Sequence, residues 1–236
     1  MRLLVTRPQP DAERTAAALR VRGHTVVVAP LLRIEAVADA EIGTGPWATI
    51  LVTSANAAPA IAGHRRFAEV LALPVFAVGE RSAQAMRAAG FADVSSADGD
   101  VRDLANLVAA QLKPPARLLY LTAEDRSGDL VGALRSLRFV VDVVVVYRAV
   151  TAETLPAEAA AALTYGIDGV LHFSRRTAET YVSASRGAGL LVSALRPVHY
   201  CLSAQVAEPL ARAGAADIRI ALQPTEAALI ALIPAV

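Results

Sequence analysis

Two parts of this sequence repeat each other. Residues 2–8 read RLLVTRP and residues 117–123 read RLLYLTA, while VGERSAQAMRAAG from Val78 is echoed by LSAQVAEPLARAG from Leu202. Strand and helix signals recur in the same order around these anchors. A repeat of this length predicts two similar lobes, and a cleft between them is the default place for a ligand.

The repeat resolves into two kinds of module. The first is strand, helix, strand: an apolar strand over residues 2–6, a helical pattern over 11–21, a turn at Gly23 and the strand HTVVVAP over 24–30. Residues 117–150 retrace it with RLLYLTA, a helix over 128–137 and the β-branched run VVDVVVVYRAV. The second module begins at Trp47 with ATILVTS and enters a helix at Ser54 and Ala55. It continues through VFAVG, SAQAMRAAG, DVSSA and a helix over 101–112. GVLHFS ending at Ser174, a helix from Arg175, VHYCLS ending at Ser203, a helix to Gly214, DIRIA and a last helix from Thr225 follow the same path.

Strands apolar on both faces that alternate with helices call for parallel sheets covered by helices on both sides. The fold class is therefore α/β, with two flavodoxin-like parallel-sheet lobes. The repeat fixes modules but leaves open which first module completes which lobe. Around residues 31–45 and 148–157 the pattern loosens near Pro46 and Pro156, so these are the expected crossings between lobes.

At 236 residues and 55% hydrophobic content the chain fills two cores. Met1 leads directly into a strand pattern, and no apolar run approaches the roughly 18 residues of a membrane span, so a cytoplasmic protein without a membrane partner is expected. A formal charge of +1 without runs of like charge argues against a nucleic-acid partner. The single cysteine, Cys201, lies in the apolar run VHYCL and reads as a buried structural thiol. Lys113 is the only lysine; the arginine and alanine bias is spread evenly and marks composition, not a site.

Small polar residues open helices at several strand ends: Thr6 with Arg7, Thr53 with Ser54, Gly79 with Ser82, Ser174 with Arg175, and Ser203. In parallel sheets ligands bind beyond the carboxyl ends of strands, and first-turn N–H groups favour anions. Capping alone explains any one of these residues, but their repetition in both halves points to an acidic ligand. Glycine-rich dinucleotide and phosphate-loop signatures are missing, and His24, His64, His172 and His199 have no metal-ligand spacing. No cofactor and no metal are expected. His172 and His199 sit inside strand patterns and read as buried histidines.

VTRP at residues 5–8, TSANA at 53–57, VGERSA at 78–83 and the strand ending VVYRAV around Tyr147 together resemble the uroporphyrinogen-III synthase family. The order and spacing of these short motifs over the whole chain carry the resemblance. It implies two lobes joined by a two-stranded linker, with the first strand-helix-strand unit completing the C-terminal lobe: residues 1–33 plus 150–236 in one lobe, 34–149 in the other. The implied reaction is cyclisation of hydroxymethylbilane to uroporphyrinogen III, with loss of water and inversion of ring D through a spiro intermediate, without a cofactor. Tyr147 matches the family tyrosine and is the implied catalytic donor. The substrate-binding set is Thr6, Arg7, Pro8, Thr53, Ser54, Ala55, Asn56, Gly79, Ser82, Ser174, Arg175, Ser203 and Gln205.

A lyase of tetrapyrrole biosynthesis of this kind is expected to be a monomer that receives its substrate in a transient handover from the upstream deaminase. Ser203 and Val206 stand where similar proteins carry Gly and Thr, and Arg138 where a turn glycine is common. These departures leave a second function open: a two-lobed intracellular protein that binds a tetrapyrrole or small acid and has lost catalysis.

Overall fold

A computed structural model describes residues 1–126 and 128–235. In chain order its elements are β1 (Arg2–Val5), α1 (Asp11–Val21), β2 (Thr25–Val28), β3 (Leu32–Ala36), β4 (Thr49–Val52), α2 (Ala57–Ala62), α3 (Phe67–Val70), β5 (Val75–Ala77), α4 (Glu80–Ala88), β6 (Val94–Ser96) and α5 (Val101–Gln111). The remainder comprises β7 (Arg117–Ala123), α6 (Leu130–Ser136), β8 (Val140–Thr151), α7 (Ala157–Tyr165), β9 (Gly169–His172), α8 (Arg175–Gly187), α9 (Leu191–Leu195), β10 (Val198–Cys201), α10 (Ala204–Ala213), β11 (Ile218–Ile220) and α11 (Glu226–Ala231). The chain divides into two compact units, Met1–Arg33 with Val150–Val236, and Ile34–Ala149. It crosses between them twice, within β3 and within β8.

The first unit is built on a five-stranded sheet of order β11-β10-β9-β1-β2. Its central strands pair in parallel, with Leu3, Leu4 and Val5 opposite Gly169, Val170 and Leu171. Leu3 and Val5 pack on one side of the sheet with Leu171 and Tyr200, and Leu4 packs on the other with Val170 and Tyr181. Burial on both faces is why β1 reads as a continuous apolar run instead of an alternating one. Helix α1 covers one face through Ala12, Thr15, Ala16 and Leu19, the i, i+3, i+4, i+7 spacing of a single helical stripe.

The second unit has a six-stranded sheet of order β3-β8-β7-β4-β5-β6. Ile50 and Val52 face one core and Leu51 the other. Helix α5 is started by a capping box in which Asp100 accepts from the N–H groups of Arg102 and Asp103 while Asp103 accepts from the N–H of Asp100. Apart from β3, the spatial order β8-β7-β4-β5-β6 matches β2-β1-β9-β10-β11 strand for strand. The two sheets share one architecture but thread it differently. In the first unit the strand-helix-strand module precedes the other three strands in sequence, and in the second it follows them.

The likeness extends to single hydrogen bonds. Helix α1 ends with Gly23 N–H on the Arg20 carbonyl and His24 N–H on that of Leu19; α6 ends with Arg138 on Arg135 and Phe139 on Leu134. Gly23 adopts φ 84° there and Arg138 φ 66°. A left-handed turn costs a residue with a Cβ about 1 kcal/mol or more. We therefore expect Arg138→Gly to stabilise the protein by about 1 kcal/mol, partly offset by the greater freedom of glycine in the unfolded chain. An unchanged urea midpoint would show that the turn bears no such strain.

Three local features differ from the sequence reading. The loosened stretch after residue 31 contains β3, paired with β8, and β8 runs on to Thr151. The helix expected from Ser54 starts only at Ala57. Helix α7 was hidden because AEAAAALTY is mostly alanine, so its buried Ala159, Ala162 and Leu163 give no polar contrast.

Candidate active site

In a doubly wound sheet, ligands collect where the strand order reverses, beyond the carboxyl ends of the two strands that flank that point. Those pairs are β1 with β9 in the first unit and β4 with β7 in the second. The chain leaves these strands through Thr6, Arg7 and Pro8, through Phe173 and Ser174, and through Thr53, Ser54, Ala55 and Asn56. Most of the residues expected to bind substrate thus lie at the two reversal points. Gly79 and Ser82, and Ser203 and Gln205, follow the next strand along in each sheet, β5 and β10.

In the second unit four hydroxyls meet around the end of β4. Thr53 Oγ1 and the Tyr120 hydroxyl lie 2.9 Å apart, across the β4/β7 reversal. The Ser54 hydroxyl is near enough to the phenol of Tyr147 to act on its pKa, and it accepts the Asn56 N–H at 3.3 Å. Tyr147 is only 6% exposed. Burial raises its pKa, the neighbouring Tyr120 adds to this, and the Ser54 hydroxyl only partly opposes it. The Tyr147 phenol is therefore a proton donor throughout the neutral range.

Tyr147 reaches Ser54 because β8 is irregular. Along β7 the register runs Leu121 to Val144 and Thr122 to Val145, then skips, so that Ala123 faces Tyr147. Strict alternation would put Tyr147 on the side of Val141 and Val143, which pack with Tyr120. The bulge places one extra residue in the strand, and Tyr147 joins Val144 and Val146 in the opposite cluster. The two phenols consequently approach consecutive residues, Thr53 and Ser54, from opposite faces of one sheet.

The corresponding residues of the first unit are more heavily engaged. Thr6 is fully buried and donates to the Leu171 carbonyl at 3.1 Å. Arg7 lies 4.0 Å over the ring of Phe173 and pairs with Asp11 at 3.0 Å and Glu226 at 3.2 Å. Glu226 also receives Thr15 and Arg14. Burial pushes its carboxyl up, but the Thr15 and Arg14 hydrogen bonds and the charges of Arg7 and Arg14 outweigh this, and it is held below the usual carboxylate range. Arg7, expected as a substrate contact, thus ties the start of α1 to α11. Pro8 contributes its carbonyl to the Ala12 N–H.

Ser174 caps α8, its Oγ accepting from Thr177 N–H at 3.1 Å. Arg175 is exposed and paired with Glu179 at 2.9 Å and Glu208 at 3.2 Å. Gly79 and Ser203 take the same position before α4 and α10, with φ −160°, ψ 166° and φ −158°, ψ 170°. This is extended backbone open to any residue, so serine replaces glycine here without distortion. Ser203 makes no capping bond with its side chain. The amide of Val206 bonds to the Ser203 carbonyl just as that of Ser82 bonds to Gly79. First-turn amides earlier in each helix have no intrahelical acceptor. Val206 itself is buried, and Gln205 is exposed.

Sequence reasoning missed Tyr120. Its signal was a phenol inside the otherwise apolar run RLLYLTA, since a buried tyrosine needs a partner for its hydroxyl. Among the described residues, no three His, Cys, Asp or Glu side chains are grouped as a metal ion would need, and no helix is long and apolar enough to cross a membrane. Cys201 is buried, which pushes its thiol up to about 12.

Two doubly wound parallel units, each gathering hydroxyls and helix starts at the carboxyl edge of its sheet, define the class: a two-unit, doubly wound α/β protein. The family model described as uroporphyrinogen-III synthase HemD matches residues 13–231. The structure is similar to that of uroporphyrinogen-III synthetase from Helicobacter pylori 26695, with a TM-score of 0.65 at 16% identity over 98% of each chain. A mutant uroporphyrinogen III synthase from the extremely thermophilic bacterium Thermus thermophilus gives a TM-score of 0.49 at 17% identity, over 98% of this chain and 97% of that one. No curated protein matches the sequence. The chain belongs to the uroporphyrinogen-III synthase family. It is accordingly a lyase of porphyrin biosynthesis, acting on a small molecule.

Proposed function

We propose that this chain cyclises hydroxymethylbilane to uroporphyrinogen III without a cofactor, with Tyr147 assisting departure of the terminal hydroxyl. The observation that carries the role of Tyr147 is its buried phenol, placed beside Ser54 at the reversal point of the second sheet by the bulge in β8. Proton donation to the hydroxyl releases water and leaves an azafulvenium. Attack by the substituted carbon of ring D forms the spiro intermediate, which fragments and recloses with ring D inverted. Loss of a proton then restores the aromatic pyrrole.

The substrate carries eight carboxylates. Amides at the starts of α4 and α10, with the hydroxyls of Thr53, Ser54, Ser82 and Ser203, offer neutral donors to several of them, which suits a protein of net charge +1. Holding a flexible chain in the one geometry that permits spiro attack is an orientation effect, and it supplies much of the rate. In this reading Arg7 orders the strand end that carries Thr6 and Pro8, Ser174 caps its helix, and Ala55, Asn56 and Gly79 offer backbone groups. Arg175 and Gln205 add exposed donors at their helix starts. The enzyme works as a monomer in the cytoplasm and receives its unstable substrate in a transient handover from the upstream deaminase.

The test is isomer analysis. Freshly generated hydroxymethylbilane is supplied, the products are oxidised, and type I and type III porphyrins are separated by chromatography. Type III is expected to predominate; a product containing type I alone, as unaided closure gives, would sink the reading.

A further inference from the structure

The second unit carries a cavity of about 540 Å³ beside the phenol that pairs with Thr53. Tyr120, Val143 and Leu130 form its interior, and Arg126, Arg135 and Asp129 contribute charge. The volume lies within the range of small-molecule sites. Many arginines of this protein are neutralised by carboxylates, among them Arg7, Arg14, Arg20, Arg66, Arg87, Arg117, Arg148, Arg175, Arg212 and Arg219. Among the described residues, neither Arg126 nor Arg135 makes an ion pair. Asp129 is turned to the backbone, accepting the Gly132 N–H at 2.8 Å as the cap of α6. Two guanidinium groups against one carboxylate leave the cavity with an excess of one positive charge.

Tyr120 adds a neutral donor. Two hydroxyls in contact share one hydrogen bond, so in the Thr53–Tyr120 pair one hydroxyl hydrogen is left to give to a third group. Tyr120 is 3% exposed, which fixes its ring and limits the cost of ordering it.

We propose that this cavity binds a carboxylate-bearing side chain of the linear tetrapyrrole, with Arg126 and Arg135 as its cationic partners and Tyr120, its hydroxyl paired with Thr53, as its neutral donor. The proposal rests on the reading of the protein as a uroporphyrinogen-III synthase. A carboxylate held here lies on the sheet face opposite to Tyr147, so binding and proton donation are served by different phenols. Arg126 and Arg135 are specificity residues in this scheme.

Arg126→Gln and Arg135→Gln are the test, with Lys113→Gln as a control for loss of one surface charge. Each arginine variant is expected to raise KM for hydroxymethylbilane about tenfold, with kcat within about twofold, because a charge-assisted hydrogen bond is lost from ground and transition states alike. Arg135→Lys should recover part of the loss. Unchanged KM in both arginine variants, or the same change in Lys113→Gln, overturns the proposal. Should the wild-type protein yield only type I isomer, the enzyme reading fails separately. The cavity is then judged by fluorescence titration with uroporphyrin III, an octacarboxylate, where about tenfold weaker binding by both arginine variants supports it and equal binding overturns it.

Discussion

Acidification from pH 7 to pH 5 should cost the protein about 2 kcal/mol through His199, with His172 adding to the loss in the same direction. His172 and His199 sit side by side on β9 and β10, fully buried, with Nε2 of one 3.1 Å from Nδ1 of the other. One imidazole donates to its neighbour, so the pair is neutral and has little room for another proton. The edge of the Tyr181 ring packs against both, and its hydroxyl is committed to the Ala194 carbonyl. Burial drives His199 down to about 4, against weaker upward pulls from Asp217 and the Leu195 backbone. Burial, and then the neighbouring His199, hold His172 well below the ordinary histidine value.

The sign of the effect is fixed by these directions. In the unfolded chain both rings protonate below about 6.5, whereas in the folded protein they stay neutral. The unfolded state therefore binds more protons as pH falls from about 6.5 toward 4, and folding stability drops over that window. Urea unfolding of wild type and of a His172→Gln/His199→Gln variant at several pH values measures it. The variant's baseline stability will differ, but its slope should lose up to two protons' worth of pH dependence. Equal slopes would refute the account.

Tyr147→Phe should lower kcat by about a hundredfold and leave KM nearly unchanged. General acid assistance contributes about a hundredfold or more, and the low end is expected here because the phenyl ring keeps its packing in the cluster with Val144 and Val146. The donor is neutral, and its pKa is raised above the ordinary phenol value of about 10. The wild-type advantage should thus persist into the alkaline range instead of fading near neutrality. Activity of the variant equal to wild type at every pH would remove the donor role and leave the family assignment intact.

Much of this was legible in the sequence for a physical reason: parallel strands buried on both faces leave long apolar runs such as RLLV, TILV and GVLH, and helices that cover them leave a single stripe. The strand-end residues were found because small polar side chains stand out between those runs. What escaped detection depended on details that spacing does not encode. The bulge beside Val146 reverses the side on which Tyr147 falls, and nothing in VVDVVVVYRAV announces it. Tyr120 escaped because one phenol in an apolar strand looks like packing until Thr53 lies beside it. Arg7 matched a motif, yet its two carboxylate partners come from α1 and from Glu226 near the end of the chain. Arg138 was the opposite case, since an arginine in place of a turn glycine already hinted at the left-handed turn it adopts.

The exchanged threading of the two sheets also sets an order of events during synthesis. The second unit is one contiguous stretch, so its strands can close as soon as residue 149 has left the ribosome. The first unit cannot. Leu3 and Leu4 wait for Gly169 and Val170, and until then β1 has β2 on one side and an unpaired apolar edge on the other. Contacts so distant in sequence form slowly, and open strand edges invite association with other chains. Until β9 has been made the N-terminal module is thus a nascent segment in need of shelter, and a strand far along the chain decides whether the first one is paired on both sides.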